Sequence, residues 1–350
     1  MDEICGPLFE WYDKHKRDLP WRATRVPYYI WISEVILQQT RVAQGYDYFV
    51  RFIEHFPTVE ELAAAPEDEV MRLWQGLGYY SRARNLHAAA KQVVALGEFP
   101  RTYEQIRALK GVGDYTAAAI ASFAFDVPKA AVDGNVCRVW ARLFGLDTPI
   151  DTARGKQQIT EVAQALLPVA QAAKYNQAVM EFGALQCTPQ SPKCDECPLA
   201  HKCVALAAGR VGELPMKSHK TKVMPRYMSY LYIHNGEEML LHKRTANDIW
   251  LNLYELPLIE TASAIGSEEL FCVPEFVAWH AMLPGAVYKG ATGTVKHVLS
   301  HRVLHTVFYE FEVEGALPCP EGFVMVPLEE LGRYALPRLI EKYLEEKNGR

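Results

Sequence analysis

LKGVGDYTAAAI, residues 109–120, is the stretch on which the fold of this chain turns. It reads as the end of one helix, a Gly-x-Gly turn and the start of another helix. Gly111 and Gly113 are expected to supply backbone angles and a close approach that a side chain forbids. The free amides at the following helix start then form a site for an anion, and the hairpin as a whole reads as a phosphate clamp. VDGNVCRV follows at Val132 to Val139, placing a carboxylate, Asp133, just beyond the hairpin.

Outward from the hairpin the texture stays helical. Between Leu8 and about Ala205 apolar residues recur at three and four spacings, alanine is frequent, and Gly or Pro punctuates the pattern. After a basic, proline-containing stretch the pattern changes. Tyr227 to Ile233 and Val303 to Val313 are rich in β-branched and aromatic residues, as strands are. The reading is therefore a multi-domain chain: an all-α domain over residues 1–205, a linker over 206–224, and a mixed α/β domain over 225–350 that closes with a helix near Leu328 to Glu346. A length of 350 residues suffices for two or three domains that each bury a core.

The net charge of −5 taken alone speaks against a nucleic-acid partner, but binding depends on where the cations sit. Residues 209–226 gather Arg210, Lys217, Lys220, Lys222 and Arg226 against a single acid, Glu213. Such a run is either a solvated linker or a strip that follows a phosphate backbone. No signal-like opening and no apolar run of membrane-spanning length is seen. The expected setting is a bacterial cytosol, in association with the nucleoid through DNA, and no membrane is implied.

Cys187, Cys194, Cys197 and Cys203 stand in the spacing C-x6-C-x2-C-x5-C. Four thiolates in one short loop call for a soft tetrahedral metal centre. A zinc knob usually shows two C-x2-C pairs, and here Cys194 and Cys197 alone form one, so the spacing favours a [4Fe-4S] cluster over zinc. Cys5, Cys137, Cys272 and Cys319 are scattered and imply no disulfide framework.

Upstream lies WISEVILQQT, Trp31 to Thr40. On a helix Ile32, Val35 and Ile36 share the buried side, with Trp31 and Glu34 toward its edge, so that Glu34 is expected to be partly desolvated. This string, together with GLGYYSRARNL at Gly76 to Leu86, GVGDYTAAAI, VDGNV and the four cysteines, closely resembles the adenine DNA glycosylase (MutY) family across essentially the whole chain. The resemblance implies a helix-hairpin-helix glycosylase domain with its iron-sulfur loop, followed by a Nudix-like domain that reads oxidised guanine opposite adenine. It implies Glu34 as the acid, Asp133 as the carboxylate facing the target sugar, and Tyr115 and Asn135 as their supports. It also implies Gln39, Thr40, Leu77 and Tyr79 beside the opposing base, and Arg22 near the flipped adenine.

The chemistry fits that division of roles. Breaking an N-glycosidic bond to adenine needs a proton on the base and a negative charge near the cationic sugar. Two carboxylates in different environments supply both, Glu34 with a raised pKa and Asp133 ionised. Lyase-competent relatives carry a lysine where this chain has Tyr115, and a phenol forms no Schiff base. The expected activity is monofunctional removal of adenine from duplex DNA, opposite 8-oxoguanine or guanine, by a monomer. The rivals are an endonuclease III-like glycosylase and lyase, and a mismatch-binding protein without catalysis.

The second domain lacks the R-E-x2-E-E metal helix of a working Nudix hydrolase. Glu329 and Glu330 are present, but Met325 and Val326 stand where the Arg-Glu pair belongs. Recognition rather than hydrolysis is expected of it. Leu299-Ser300-His301 matches the family's Phe-Ser-His loop with the aromatic lost, leaving Ser300 and His301 as the polar pair that meets the lesion.

Overall fold

A computed structural model describes residues 2–218 and 223–347, so Lys220 and Lys222 of the basic stretch lie outside the described residues. The chain divides into two compact units, Met1–Ala64 with Asn85–Lys220, and Ala65–Arg84 with Thr221–Arg350. The segment Ala65–Arg84 thus counts with the second unit, although it lies inside the stretch expected to form one continuous helical domain.

The first unit is helical, as expected. Its order is α1 (Asp2–His15), α2 (Pro27–Leu37), α3 (Val42–His55) and α4 (Val59–Ala64). After α5 (Glu67–Leu73) of the other unit and α6 (Ser81–Leu96), inside which the boundary falls, come α7 (Tyr103–Arg107), α8 (Asp114–Phe125), α9 (Gly134–Phe144), α10 (Ala153–Leu166), α11 (Ala172–Leu185) and α12 (Val204–Ala207). A capping box starts α7, in which Thr102 and Gln105 satisfy each other's amides. Helix α8 is buried along Thr116–Phe123, and its run of alanines lets α2 and α11 approach closely. Helix α2 is buried on nearly every side, from Tyr28 to Ile36 except Tyr29, so Trp31 is core rather than edge. Gly183 on α11 lets α9 approach, because a Cβ there would stand 2.6 Å from Cβ of Asn135. Trp140 of α9 is fully buried and stacks on Tyr175 with ring centroids 6.2 Å apart. Truncating such a residue to alanine costs about 3–5 kcal/mol.

The two glycines of the hairpin differ. Gly111 has φ +73°, and a Cβ there would lie 2.5 Å from Cβ of Asn85. It therefore needs both the angle and the space. Gly113 is the N-cap of α8 with φ −90°, and nothing lies within 4 Å of a Cβ built there. The expected backbone requirement is thus met at Gly111 and absent at Gly113, whose missing side chain leaves open the space ahead of the helix.

The described ends of the basic stretch are tied down. Arg210 pairs with Asp147 at 2.6 Å and Glu213 at 2.8 Å, and Ser218 bonds Asp151 through its amide at 2.9 Å. Arg226 sits in a strand and pairs with Asp248 and Glu260, each at 2.6 Å. These two arginines are already neutralised by carboxylates, so any contact with phosphate falls to the lysines.

The second unit is built on a sheet of β1 (Met224–His234), β2 (Glu238–Lys243), β3 (Tyr254–Glu255), β4 (Leu258–Thr261), β5 (Val287–Ala291), β6 (Val295–Val298), β7 (Arg302–Glu312) and β8 (Phe323–Pro327). The order β3-β2-β1-β7-β5 forms the spine, with β1 and β7 parallel from Met224 opposite Arg302 to His234 opposite Glu312, and the remaining pairs antiparallel. The period-2 alternation of a strand sends Tyr230, Tyr232 and Phe308 to one face, and Leu231, Ile233 and Tyr309 to the other. The first face is covered by α15 (Arg338–Lys347), and the second by α13 (Ser267–Leu270) and α14 (Pro274–Met282). The closing helix expected over Leu328 to Glu346 is in fact two pieces. A 3-10 turn covers Leu328–Arg333 and α15 begins after Pro337, since the ring of Pro337 cannot donate within a continuous helix.

Candidate active site

A cleft of about 1000 Å3 in the first unit brings Glu34, Tyr115, Asp133 and Asn135 together, with Arg22, Gln39 and Thr40 on its walls. Pro27 starts α2 at a position where no amide is needed, and the buried helix delivers Glu34 to the cleft floor at 8% exposure. The hydroxyl of Tyr115, from the first turn of α8, donates to Oε2 of Glu34 at 2.5 Å. Burial pushes the Glu34 carboxyl up to about 7; the Tyr115 bond pulls against that rise and the neighbouring Asp133 charge adds to it.

Asp133 caps α9. Its Oδ1 accepts from the amide of Val136 at 2.8 Å and its Oδ2 from Nδ2 of Asn135 at 2.7 Å. The residue is therefore the N-cap of the helix. Burial raises its pKa as well, while those hydrogen bonds and Arg138 oppose the rise. Glu34 has one donor where Asp133 has two and a helix N-terminus, so of the two carboxyls Asp133 ionises first.

Asn135 is itself held. Its Oδ1 accepts from Nη2 of Arg138 at 2.8 Å, and Nε of Arg138 reaches the carbonyl of Cys187 at 2.7 Å. A chain of hydrogen bonds thus runs from the Asp133 carboxylate to the start of the cysteine loop. Arg142, one turn further along α9 and 3% exposed, donates to the carbonyls of Leu214, Thr188 and Pro189 and to Sγ of Cys187. Cys194 opens one 3-10 turn, Cys197 ends it, and Cys203 ends the next. The thiols lie near enough for Cys187 and Cys203 to raise both Cys194 and Cys197, after burial as the main cause. Four thiols within electrostatic reach of one another, one of them with a guanidinium beside it, are a donor set that suits a thiolate-bound cluster.

Arg22 lies in the cleft with its Nη2 2.6 Å from Oε2 of Glu181, and Arg17 donates to both oxygens of the same carboxylate at 2.8 and 2.6 Å. Burial opposes ionisation of Glu181, but the two arginines outweigh it and carry its pKa down to about 2. Arg17 and Glu181 escaped the reading of the sequence. They stand 164 positions apart, and no local motif joins them; the arginine two residues before LPWR is the one visible hint. Gln39, at φ +60°, and Thr40 follow the end of α2 on the cleft wall.

The remaining expected positions belong to the second unit. Leu77 is 8% exposed, whereas Tyr79, at φ +49°, is 46% exposed. Tyr79 shares a smaller cavity with Leu299, Ser300 and His301, in which Oγ of Ser300 lies 3.1 Å from Nδ1 of His301. Gly111 and Gly113 lie at the hairpin described above.

A helix-hairpin-helix unit, a buried pair of carboxyls and a four-cysteine loop together define a DNA N-glycosylase of base-excision repair. Residues 32–181 match the HhH-GPD superfamily of base excision DNA repair proteins, 187–203 the iron-sulfur binding domain of endonuclease III, and 229–346 a NUDIX domain. The chain is 34% identical to a rat adenine DNA glycosylase over 89% of its own length and 70% of the relative's, and 32% identical to the human one over 98% and 74%. A Buchnera aphidicola adenine DNA glycosylase is 30% identical over 97% and 95%. The chain belongs to the adenine DNA glycosylase family, and its cofactor is a [4Fe-4S] cluster. Among solved structures it is similar to a thermostable thymine-DNA glycosylase, at TM-score 0.54 and 30% identity over 58% of this chain and 94% of that one. It is also similar to endonuclease III in a non-covalent DNA complex, at TM-score 0.51 and 27% identity over 59% and 97%. Among the described residues no helix is long and apolar enough to cross a membrane.

Proposed function

We propose that this protein is a monofunctional adenine DNA glycosylase that removes adenine opposite 8-oxoguanine, and also opposite guanine, acting as a monomer. The observation that carries the chemistry is the buried contact of Tyr115 with Glu34 beside Asp133. Glu34, with a pKa raised to about 7, delivers a proton to the purine ring as the glycosidic bond breaks and its electron pair leaves with the base. The ionised Asp133 stabilises the positive charge that develops on the sugar. Water adds to the sugar carbon and gives up its proton to a carboxylate of the pair. Asn135 holds Asp133 in place, and a phenol at position 115 leaves no amine there to attack the sugar.

Cys187, Cys194, Cys197 and Cys203 would hold the cluster, which would tie together the loop that follows α11. Arg17, Arg22 and Glu181 surround the space for the base. Gly111 and Gly113 offer the hairpin amides to a phosphate, Gln39, Thr40, Leu77 and Tyr79 meet the opposing strand, and Ser300 with His301 reads the oxidised purine. The test is incubation with duplexes holding adenine opposite 8-oxoguanine, with and without later alkali. Adenine release with strand cleavage after alkali alone is expected. Cleavage without alkali would point to a lyase, and no release to a binding protein.

A further inference from the structure

Within the second unit, Ser300 and His301 open onto a cavity of about 310 Å3, at the small end for ligand sites. Tyr79, Trp250 and Leu299 supply apolar walls and Arg84 a further polar group. Two of those walls share an uncommon property: Tyr79 and Trp250 both hold left-handed backbone, at φ +49° and +61°. A bulky residue adopts that region only where its surroundings enforce it, and such outliers gather at ligand sites.

The enforcement is visible at both. Arg82 donates to the carbonyls of Leu77 at 3.5 Å and Gly78 at 3.1 Å, with its guanidinium 5.6 Å from the Tyr79 ring centre. Opposite, Arg244 is 6% exposed and held by Glu255 through bonds of 2.8 and 2.7 Å. Its Nε donates to the carbonyl of Ile249 at 2.9 Å, and its own carbonyl accepts from the amide of Asn252, another residue with positive φ, at 2.8 Å. Arg84 ties the two sides together by donating to the carbonyl of Leu251 at 2.7 Å. Rings wanted for the core alone would be sunk into it, yet Tyr79 is exposed and Trp250 half-buried at the cavity.

We propose that Trp250 is a specificity-determining residue of this site, forming with Tyr79 an aromatic clamp on the faces of the purine whose edge Ser300 and His301 read. The inference rests on the lesion-reading assignment made under the proposed function. A pair of rings set for the larger face of a purine holds 8-oxoguanine or guanine more strongly than the smaller thymine, and the hydroxyl and imidazole then compare the edges of the two purines. Position 299 contributes no ring, so the aromatic surface on that side of the cavity comes from Trp250.

The experiment uses the full chain and three duplexes, with adenine opposite 8-oxoguanine, opposite guanine, and opposite thymine. A 2′-fluoro-2′-deoxyadenosine target keeps the complexes from turning over, and all are measured at one salt concentration. Trp250→Leu is expected to lower the preference for the 8-oxoguanine duplex over the paired one by about 5- to 150-fold, the range of one base–aromatic stack. Trp250→Leu combined with Leu299→Phe is expected to recover most of it, because a ring returns to the cavity from position 299. Equal weakening on all three duplexes, with no recovery in the double variant, would make Trp250 a structural residue and overturn the clamp. A wild-type protein that does not distinguish 8-oxoguanine from guanine would instead overturn the lesion reading beneath it. Should Trp250→Leu not fold, the part of the fluorescence lost in Trp250→Phe decides. Its quenching by the 8-oxoguanine duplex and not by the paired one supports the clamp, and an unchanged signal overturns it.

Discussion

Replacing Tyr115 with phenylalanine removes one hydroxyl, the donor 2.5 Å from Oε2 of Glu34, and leaves the ring that fills the space. That bond favours the charged carboxylate and so holds the Glu34 pKa below where burial alone would put it. A hydrogen bond to a charged group contributes about 1.5–3 kcal/mol, which at about 1.36 kcal/mol per pH unit moves the pKa up by about 1–2 units. The active form is protonated Glu34. Once Asp133 is ionised, single-turnover excision therefore holds a plateau up to a pH near 7 and falls about tenfold per unit above it in the wild type. In Tyr115→Phe the plateau is lower, because a support is lost, but the falling limb lies about 1–2 units higher in pH. Asp133→Asn removes the charge that raises Glu34 and should shift the limb the other way. The assay is rapid-quench excision of adenine opposite 8-oxoguanine with enzyme in excess, from pH 5 to 9.5. A limb that stays in place or moves down in Tyr115→Phe would refute Glu34 as the titrating acid.

Glu34→Gln should lose a factor of about 10² to 10⁴ in excision while still binding the mispair, measured by single-turnover rates and a binding titration. The same variant should be more stable than wild type at pH 8 and equal to it at pH 4. A folded-state pKa raised from 4.5 to about 7 gives stability that is present below the unfolded value and lost as pH rises through 7, about 3 kcal/mol in all, read by denaturant unfolding. Gly111→Ala should destabilise by about 1–2 kcal/mol for its left-handed backbone alone, with the Asn85 contact added. Gly113→Ala should change stability by less than about 1 kcal/mol but weaken DNA binding on every sequence. Arg142→Met removes four donated bonds around the cysteine loop and should lower iron content, checked by elemental analysis, before it lowers helix content. Ser300→Ala with His301→Ala should reduce the preference for 8-oxoguanine over guanine pairs by about 5- to 150-fold, and an unchanged ratio would move the lesion reading elsewhere.

What the sequence determined by itself is what is local. The Gly-x-Gly hairpin, the C-x6-C-x2-C-x5-C loop, the Asp at the head of α9 and the period-2 strands of the second unit are each encoded within a short window, where backbone angle, ligand spacing or side-chain alternation follows directly from residue type. Tertiary structure decided whatever depends on which windows meet. Glu34 lies on a helix that local periodicity leaves with an edge, and only α8 and its neighbours closing over that edge desolvate the carboxyl and bring Tyr115 to it. Arg17, Arg22 and Glu181 become one cluster because α11 returns past the start of the chain. Gly183 looks dispensable in its own helix and is required by Asn135 of another. Trp250 and Tyr79 carry ordinary residue names, and their left-handed backbone at one cavity is held by Arg244 and Arg82, which are near in sequence but reach those turns through side-chain bonds that only the folded chain makes. Hydrogen bonding and burial are properties of contacts, and the contacts that set the pKa values of Glu34 and Glu181 join residues that no local pattern connects.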